Sequence, residues 1–121
     1  MMEEGSTSEK AKASQVYKMA RKFGIEFQPQ QQFEFFFYAA QEDNASNLAI
    51  DLHQMNYAVE PVRRSSGNGK WLINGWTHRM NSDEGSVGAW SGQMGKLAAR
   101  HNCEFDGWGS FVDKMDKKFL L

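Results

Sequence analysis

The run Phe33-Glu34-Phe35-Phe36-Phe37-Tyr38-Ala39-Ala40 constrains the fold of this chain more than any other stretch. Side chains alternate along an extended strand, so Phe33, Phe35, Phe37 and Ala39 share one face. The opposite face carries Glu34, Phe36 and Tyr38 and is too aromatic for an ordinary solvated surface. Whatever sheet the chain builds must cover one side of this strand and account for the aromatics on the other.

Periodicity places the elements around it. Residues 1–7 are polar and read as a disordered N-terminus. From Ser8, a candidate N-cap, Ala13, Val16, Ala20 and Phe23 recur at helical spacing, widened by Tyr17 and Met19. This predicts an amphipathic N-terminal helix within residues 8–28. Gly24 suits the left-handed position that ends it. Ile25 and Phe27 suggest a short strand, and the segment from Gln28 to Gln32 reads as a loop. After the Phe33 strand, Asp43 or Asn44 caps a second helix that buries Ala45, Leu48, Ala49, Leu52 and Met55, and Asn56 ends it.

Residues 57–63 form a strand that contains Pro61. Proline cannot donate to a ladder, so this strand belongs at a sheet edge. Residues 65–69 are a turn, so residues 70–80 pair back antiparallel as a hairpin. Trp71 and Ile73 share one face of that strand, Leu72 and Trp76 the other, and Gly75 suggests a bulge. Asn81 or Ser82 starts a third helix, with Asp83 and Glu84 favourably placed against its dipole. Val87, Trp90, Met94, Leu97, Ala98 and His101 form its buried stripe. Cys103 to Phe105 is the last strand.

After the N-terminal helix the order is strand–helix–strand–strand–helix–strand. This predicts an α+β fold of ferredoxin-like βαββαβ type: an antiparallel sheet ordered 4-1-3-2, helices on one face, plus an extra N-terminal helix. That order puts the second strand at an edge, which Pro61 requires independently. The other sheet face is either covered by the N-terminal helix, enclosing Phe36, Tyr38 and a tryptophan as a second small core, or left partly open.

With 121 residues and 40% hydrophobic content, the chain is long and apolar enough for one domain with its own core. A net charge of −1 argues against a general polyanion binder. The single cysteine, Cys103, excludes an intrachain disulfide. With no signal peptide and no apolar run of about 18 residues, a soluble cytoplasmic protein, not a membrane protein, is expected. His53, His78 and His101 are not spaced with one another or with Cys103 as metal ligands require, so neither metal nor cofactor is expected. His101 is expected to hold a local partner. No phosphate-binding loop, dinucleotide fingerprint or nucleophile elbow is present, and no carboxylate pair is placed for acid–base work. No catalytic residue is predicted, and the chain does not read as an enzyme.

Two features point to interactions. Gly85, Gly88, Gly92 and Gly95 line one stripe of the third helix, and each costs about 1 kcal/mol against alanine in a helix interior. Either tertiary packing tolerates them, or they admit close approach by the N-terminal helix or a second copy, giving self-association. Aromatics on the first and third strands, Phe36 and Tyr38 with Trp76 or Trp71, occupy positions where RNA-recognition sheets stack bases. The RNA-recognition octamer is absent. A single-stranded RNA-binding module is therefore an alternative reading.

The last strand runs into Glu104-Phe105-Asp106-Gly107-Trp108-Gly109-Ser110, in which two glycines flank an indole. Either Trp108 plugs the end of the core, or Asp106 and Trp108 contribute to a recognition surface. Following a Lys96-Leu97-Ala98 helix, this stretch resembles the closing signature of the ribonuclease E inhibitor family, regulator of ribonuclease activity B. The resemblance extends backward over roughly residues 30–112, leaving residues 113–121 as a C-terminal tail. It implies a ferredoxin-like fold and a non-catalytic protein that binds ribonuclease E, lowers its activity and so modulates RNA turnover. Asp106, Gly107, Trp108 and Gly109 are the matching signature positions. Well-known members of that family carry acidic terminal segments, whereas this chain is nearly neutral and ends in Lys117-Lys118-Phe119-Leu120-Leu121.

Overall fold

The computed structural model describes residues 3–24, 27, 29–112 and 117–120; for residues 3–10, 110–112 and 117–120 it describes the backbone. Helix α1 spans Glu3–Lys22, β1 Gln30–Gln31, β2 Glu34–Ala39, α2 Glu42–Gln54, β3 Ala58–Val59 and β4 Arg63–Arg64. Then come β5 Trp71–Trp76, β6 Met80–Asn81, α3 Glu84–Arg100, β7 Glu104–Val112 and β8 Lys117–Leu120.

Strand β2 is central. It pairs antiparallel with β5 on one side and β7 on the other, and the main sheet runs β3-β5-β2-β7-β8. Beyond β5 lie two short pieces, β3 opposite Trp76 and Gly75, and β4 opposite Leu72 and Trp71. Pro61 falls between them, so the edge strand breaks where the ladder lacks a donor. The hairpin turn closes through Ser65 N to the Lys70 carbonyl at 2.7 Å and Gly69 N to the Ser65 carbonyl at 2.9 Å. A separate two-residue pairing joins β1 to β6, inside the segment expected to be a loop.

One apolar cluster holds the molecule together. Phe33, Phe35, Phe37 and Ile73 from the sheet are fully buried with Ala45, Leu48 and Leu52 of α2 and Val87 and Met94 of α3. Helices α2 and α3 therefore lie on the same sheet face. Most of the stripes expected for both are buried, but Ala49 and His101 are half-buried and Met55 is exposed. Helix α3 is capped at Asp83, whose carboxylate accepts from Ser86 N and from the Ser86 hydroxyl, both at 2.8 Å. These bonds hold the Asp83 carboxyl below its ordinary range. Helix α2 starts after Gln41, which makes no side-chain cap bond, so neither Asp43 nor Asn44 caps it. Asn56 and Asn102 take the left-handed conformation after α2 and α3, and Gly24 does so after α1.

Helix α1 corrects the expected arrangement. It packs along α3, not over the far face of the sheet. Ala13, Val16, Tyr17 and Ala20 are buried and join the outer side of the helical layer. Ser14 donates to Glu84 at 2.9 Å, Arg21 bonds Glu84 at 3.1 Å, and the Tyr17 hydroxyl donates to the Ser82 carbonyl. These bonds, Ser14's first, lower the Glu84 pKa, while burial raises that of Tyr17. Phe23 and Met19, expected in the buried stripe, are 66% and 50% exposed. The helix also begins before Ser8 and stops at Lys22. Residues 1 and 2 of the expected disordered segment lie outside the described residues, as do Ile25 of the expected short strand and residues 113–116 and 121 of the tail. Residues 117–120 pair with β7 as β8.

Candidate recognition surface of the sheet

The Asp106-Gly107-Trp108-Gly109 stretch lies inside β7 and contains a β-bulge. Phe37 pairs with Phe105 but Phe36 pairs with Gly107, so one extra residue, Asp106, enters between them. Gly107 has φ of +129°, a conformation that side chains rarely adopt. The inserted residue shifts the parity of the strand. Phe105 and Trp108, three residues apart, therefore both point into the core.

Trp108 is 1% exposed. Its ring meets Phe33 edge-on at 5.3 Å between centroids, and Phe33 in turn meets Trp90 of α3 at 5.8 Å. The indole N–H of Trp108 has no acceptor among the described residues. Trp90 satisfies its own by donating to the Tyr57 hydroxyl at 3.1 Å. An orphaned donor costs about 1–3 kcal/mol, so packing alone holds Trp108 in place. Of the two readings of this tryptophan, the core plug is what forms.

The same shift leaves glycines on the outer face. Across the strands, the face away from the helices reads Trp76, Glu34, Gly109 in one row and Asn74, Phe36, Gly107 in the next. A third row reads Arg63, Leu72, Tyr38, Glu104. Gly107 beside Phe36 and Gly109 beside Glu34 add no side chain. The signature thus fills the core with an indole and places two buried glycines, without side chains, beside Phe36 and Glu34. Phe36, Tyr38, Leu72 and Trp76 are half-buried, and Asp106 is exposed at the rim. Glu34, buried within this face, accepts from Asn74 Nδ2 at 3.1 Å. Lys70 pairs with Glu104 at 3.1 Å, and the Arg64 guanidinium lies 5.2 Å above the ring of Trp71, on the core side.

The structure thus brings Phe36, Tyr38 and Trp76 together and sets Asp106 at their border, while Gly107, Trp108 and Gly109 support that surface from β7. The expected bulge at Gly75 does not occur, because register through it is continuous. Gly75 instead permits close packing: a Cβ there would lie 2.1 Å from the Ala58 carbonyl oxygen and 2.8 Å from Phe35 Cζ. Gly88 and Gly92 of the glycine stripe are buried within the chain, Gly95 is half-buried and Gly85 exposed. Helix α1 is the element that packs along α3. His101 meets Asp51 at 2.6 Å and ties the end of α3 to α2. Burial raises the pKa of the Cys103 thiol. Among the described residues no group of three His, Cys, Asp or Glu is placed to hold a metal, and no helix is long and apolar enough to cross a membrane.

These features define an α+β protein with an antiparallel sheet, helices on one side and an aromatic face on the other. The family model for regulator of ribonuclease activity B matches residues 10–110, and the chain belongs to that family. The match takes in most of α1 as well as the βα units. No curated protein matched the chain in a sequence comparison.

Proposed function

We propose that this chain is a non-catalytic regulator that binds ribonuclease E and lowers its activity, and that the sheet face bearing Phe36, Tyr38 and Trp76, bordered by Asp106, is where it engages the enzyme. Membership of a family that regulates ribonuclease activity carries the first half of this reading. The aromatic face beside two glycines supports the second, because half-buried aromatics bordered by polar groups are typical anchors of protein interfaces. Trp108 acts indirectly, by holding β7 in the shifted register. The antiparallel order β3-β5-β2-β7 supports the ferredoxin-like reading of the central strands. The proposal places the protein in the cytoplasm, a reading that its free cysteine supports.

A second reading has one observation in its favour. Arg63 lies in the same row as Tyr38, so a cation and aromatics share the face, as in single-stranded RNA platforms. Cleavage of a defined RNA by purified ribonuclease E, with and without this protein, separates the two when run beside direct RNA binding at two salt concentrations. Inhibition without RNA binding is expected. RNA binding that weakens with salt, without inhibition, would establish the second reading instead.

A further inference from the structure

The outer face of α1 does not belong to the core, although its sequence pattern suggested that it would. Among the described residues the most exposed large apolar side chains are Phe23 at 66%, Ile50 at 54% and Met19 at 50%. Phe23 directly follows the helix and its N–H bonds the Met19 carbonyl at 3.1 Å, so the two are neighbours at its C-terminal end. Gln15 and Lys12, both exposed, continue that stripe one and two turns earlier, and Lys22 borders it. Charge is segregated to the same helix. Residues 10–24 carry Lys10, Lys12, Lys18, Arg21 and Lys22 and no acidic residue, so this segment is +5 while the rest of the chain is −6. Glu84, which faces the helix from α3, is engaged by Ser14 and Arg21 and lies within electrostatic range of Lys18. Lys22 and the Met19–Phe23 pair point elsewhere and are exposed.

We infer that this face of α1 docks an acidic amphipathic segment of a protein partner. The apolar pair would bury against the partner's apolar stripe, and the lysines would meet its carboxylates. Charge complementarity of this kind steers encounter and fixes register, while the apolar pair supplies the anchor. The surface is separate from the sheet face, so the inference goes beyond the proposed inhibition and survives or fails independently of it.

The test is titration of the full chain against a fluorescent amphipathic peptide with leucines along one helical face and glutamates along the other. A lysine-for-glutamate counterpart, single-stranded RNA and anionic phosphatidylserine vesicles run alongside. The glutamate peptide is expected to bind and its counterpart to fail. Met19→Gln with Phe23→Gln should weaken binding about tenfold or more, and Lys22→Glu should weaken it as well and reduce its salt dependence. These are exposed positions, and circular dichroism checks that each variant folds. Absence of glutamate-peptide binding, equal binding by the variants, or variant-sensitive binding of RNA or vesicles in its place would overturn the inference.

Discussion

The two faces of strand β2 differ by one residue in register and by almost everything in environment. Phe33, Phe35 and Phe37 are fully buried beneath α2 and α3. Phe36 and Tyr38, their immediate neighbours in sequence, are half-buried on the side without helices. Residue type cannot account for the difference, since both sides carry aromatic residues. It comes from where the helices pack, and from the bulge in β7 that sends Trp108 to one face and two glycines to the other. One face carries the fold, and the other is the one proposed above for recognition.

Substitutions that break this division should differ in size. The largest effect is expected for Trp108→Ala, which empties an indole-sized volume from the core and should cost about 3–5 kcal/mol in urea denaturation. An unchanged midpoint would mean that Trp108 is not a core residue. Next come the two special glycines. Gly107→Ala forces a side chain into a positive-φ conformation and should cost about 1–3 kcal/mol. Gly75→Ala collides with backbone at Ala58 and should cost a similar 1–3 kcal/mol or more, with loss of edge-strand amide protection in hydrogen exchange.

Tyr38→Ala, on the opposite face, should cost only about 1 kcal/mol of stability, the scale of cross-strand pair losses. Inhibition of the nuclease should nevertheless fall by about tenfold or more. A stability loss equal to that of Trp108→Ala would erase the distinction between the faces.

The smallest effect is a pH dependence at the α1–α3 seam. The Glu84 carboxyl is held below its ordinary 4.5 by the Ser14 hydroxyl and Arg21, and that of Asp83 below 3.8 by Ser86. A carboxyl with a depressed folded-state pKa contributes stability above its unfolded value and loses it as pH falls through the folded value. Thermal midpoints should therefore decline below about pH 4, and Ser14→Ala should flatten that decline. At the alkaline end the signs reverse. Tyr17 has a raised pKa in the folded state, so its contribution is complete below about pH 10 and is lost above it as the phenol ionises.

Much of this arrangement is legible in the chain. Pro61 marks the edge strand because the lack of an amide hydrogen is a local, unconditional fact. The faces of Trp71 and Trp76 follow from parity alone. Phe105 and Trp108 conflict in parity, and that conflict beside Gly107 is the signal from which a bulge could have been found. The seat of α1 has no such signal. An amphipathic stripe states that a helix needs an apolar partner, without saying which. The contacts that decide the matter join Ser14 to Glu84 and Tyr17 to Ser82 across more than sixty residues. With α1 seated on α3, no second core forms beneath it on the far sheet face, and Met19 and Phe23 stay exposed at the margin of the stripe. The β1–β6 pairing escaped because two residues are too few to show a period.

The measurement that bears most directly on the central claim is inhibition of purified ribonuclease E by the wild-type chain and by the double variant Phe36→Ala with Tyr38→Ala, each shown to be folded by circular dichroism. The account predicts inhibition by the wild type and its loss in the folded double variant. Undiminished inhibition by the double variant would contradict it, and would move the site of regulation off the aromatic face of the sheet.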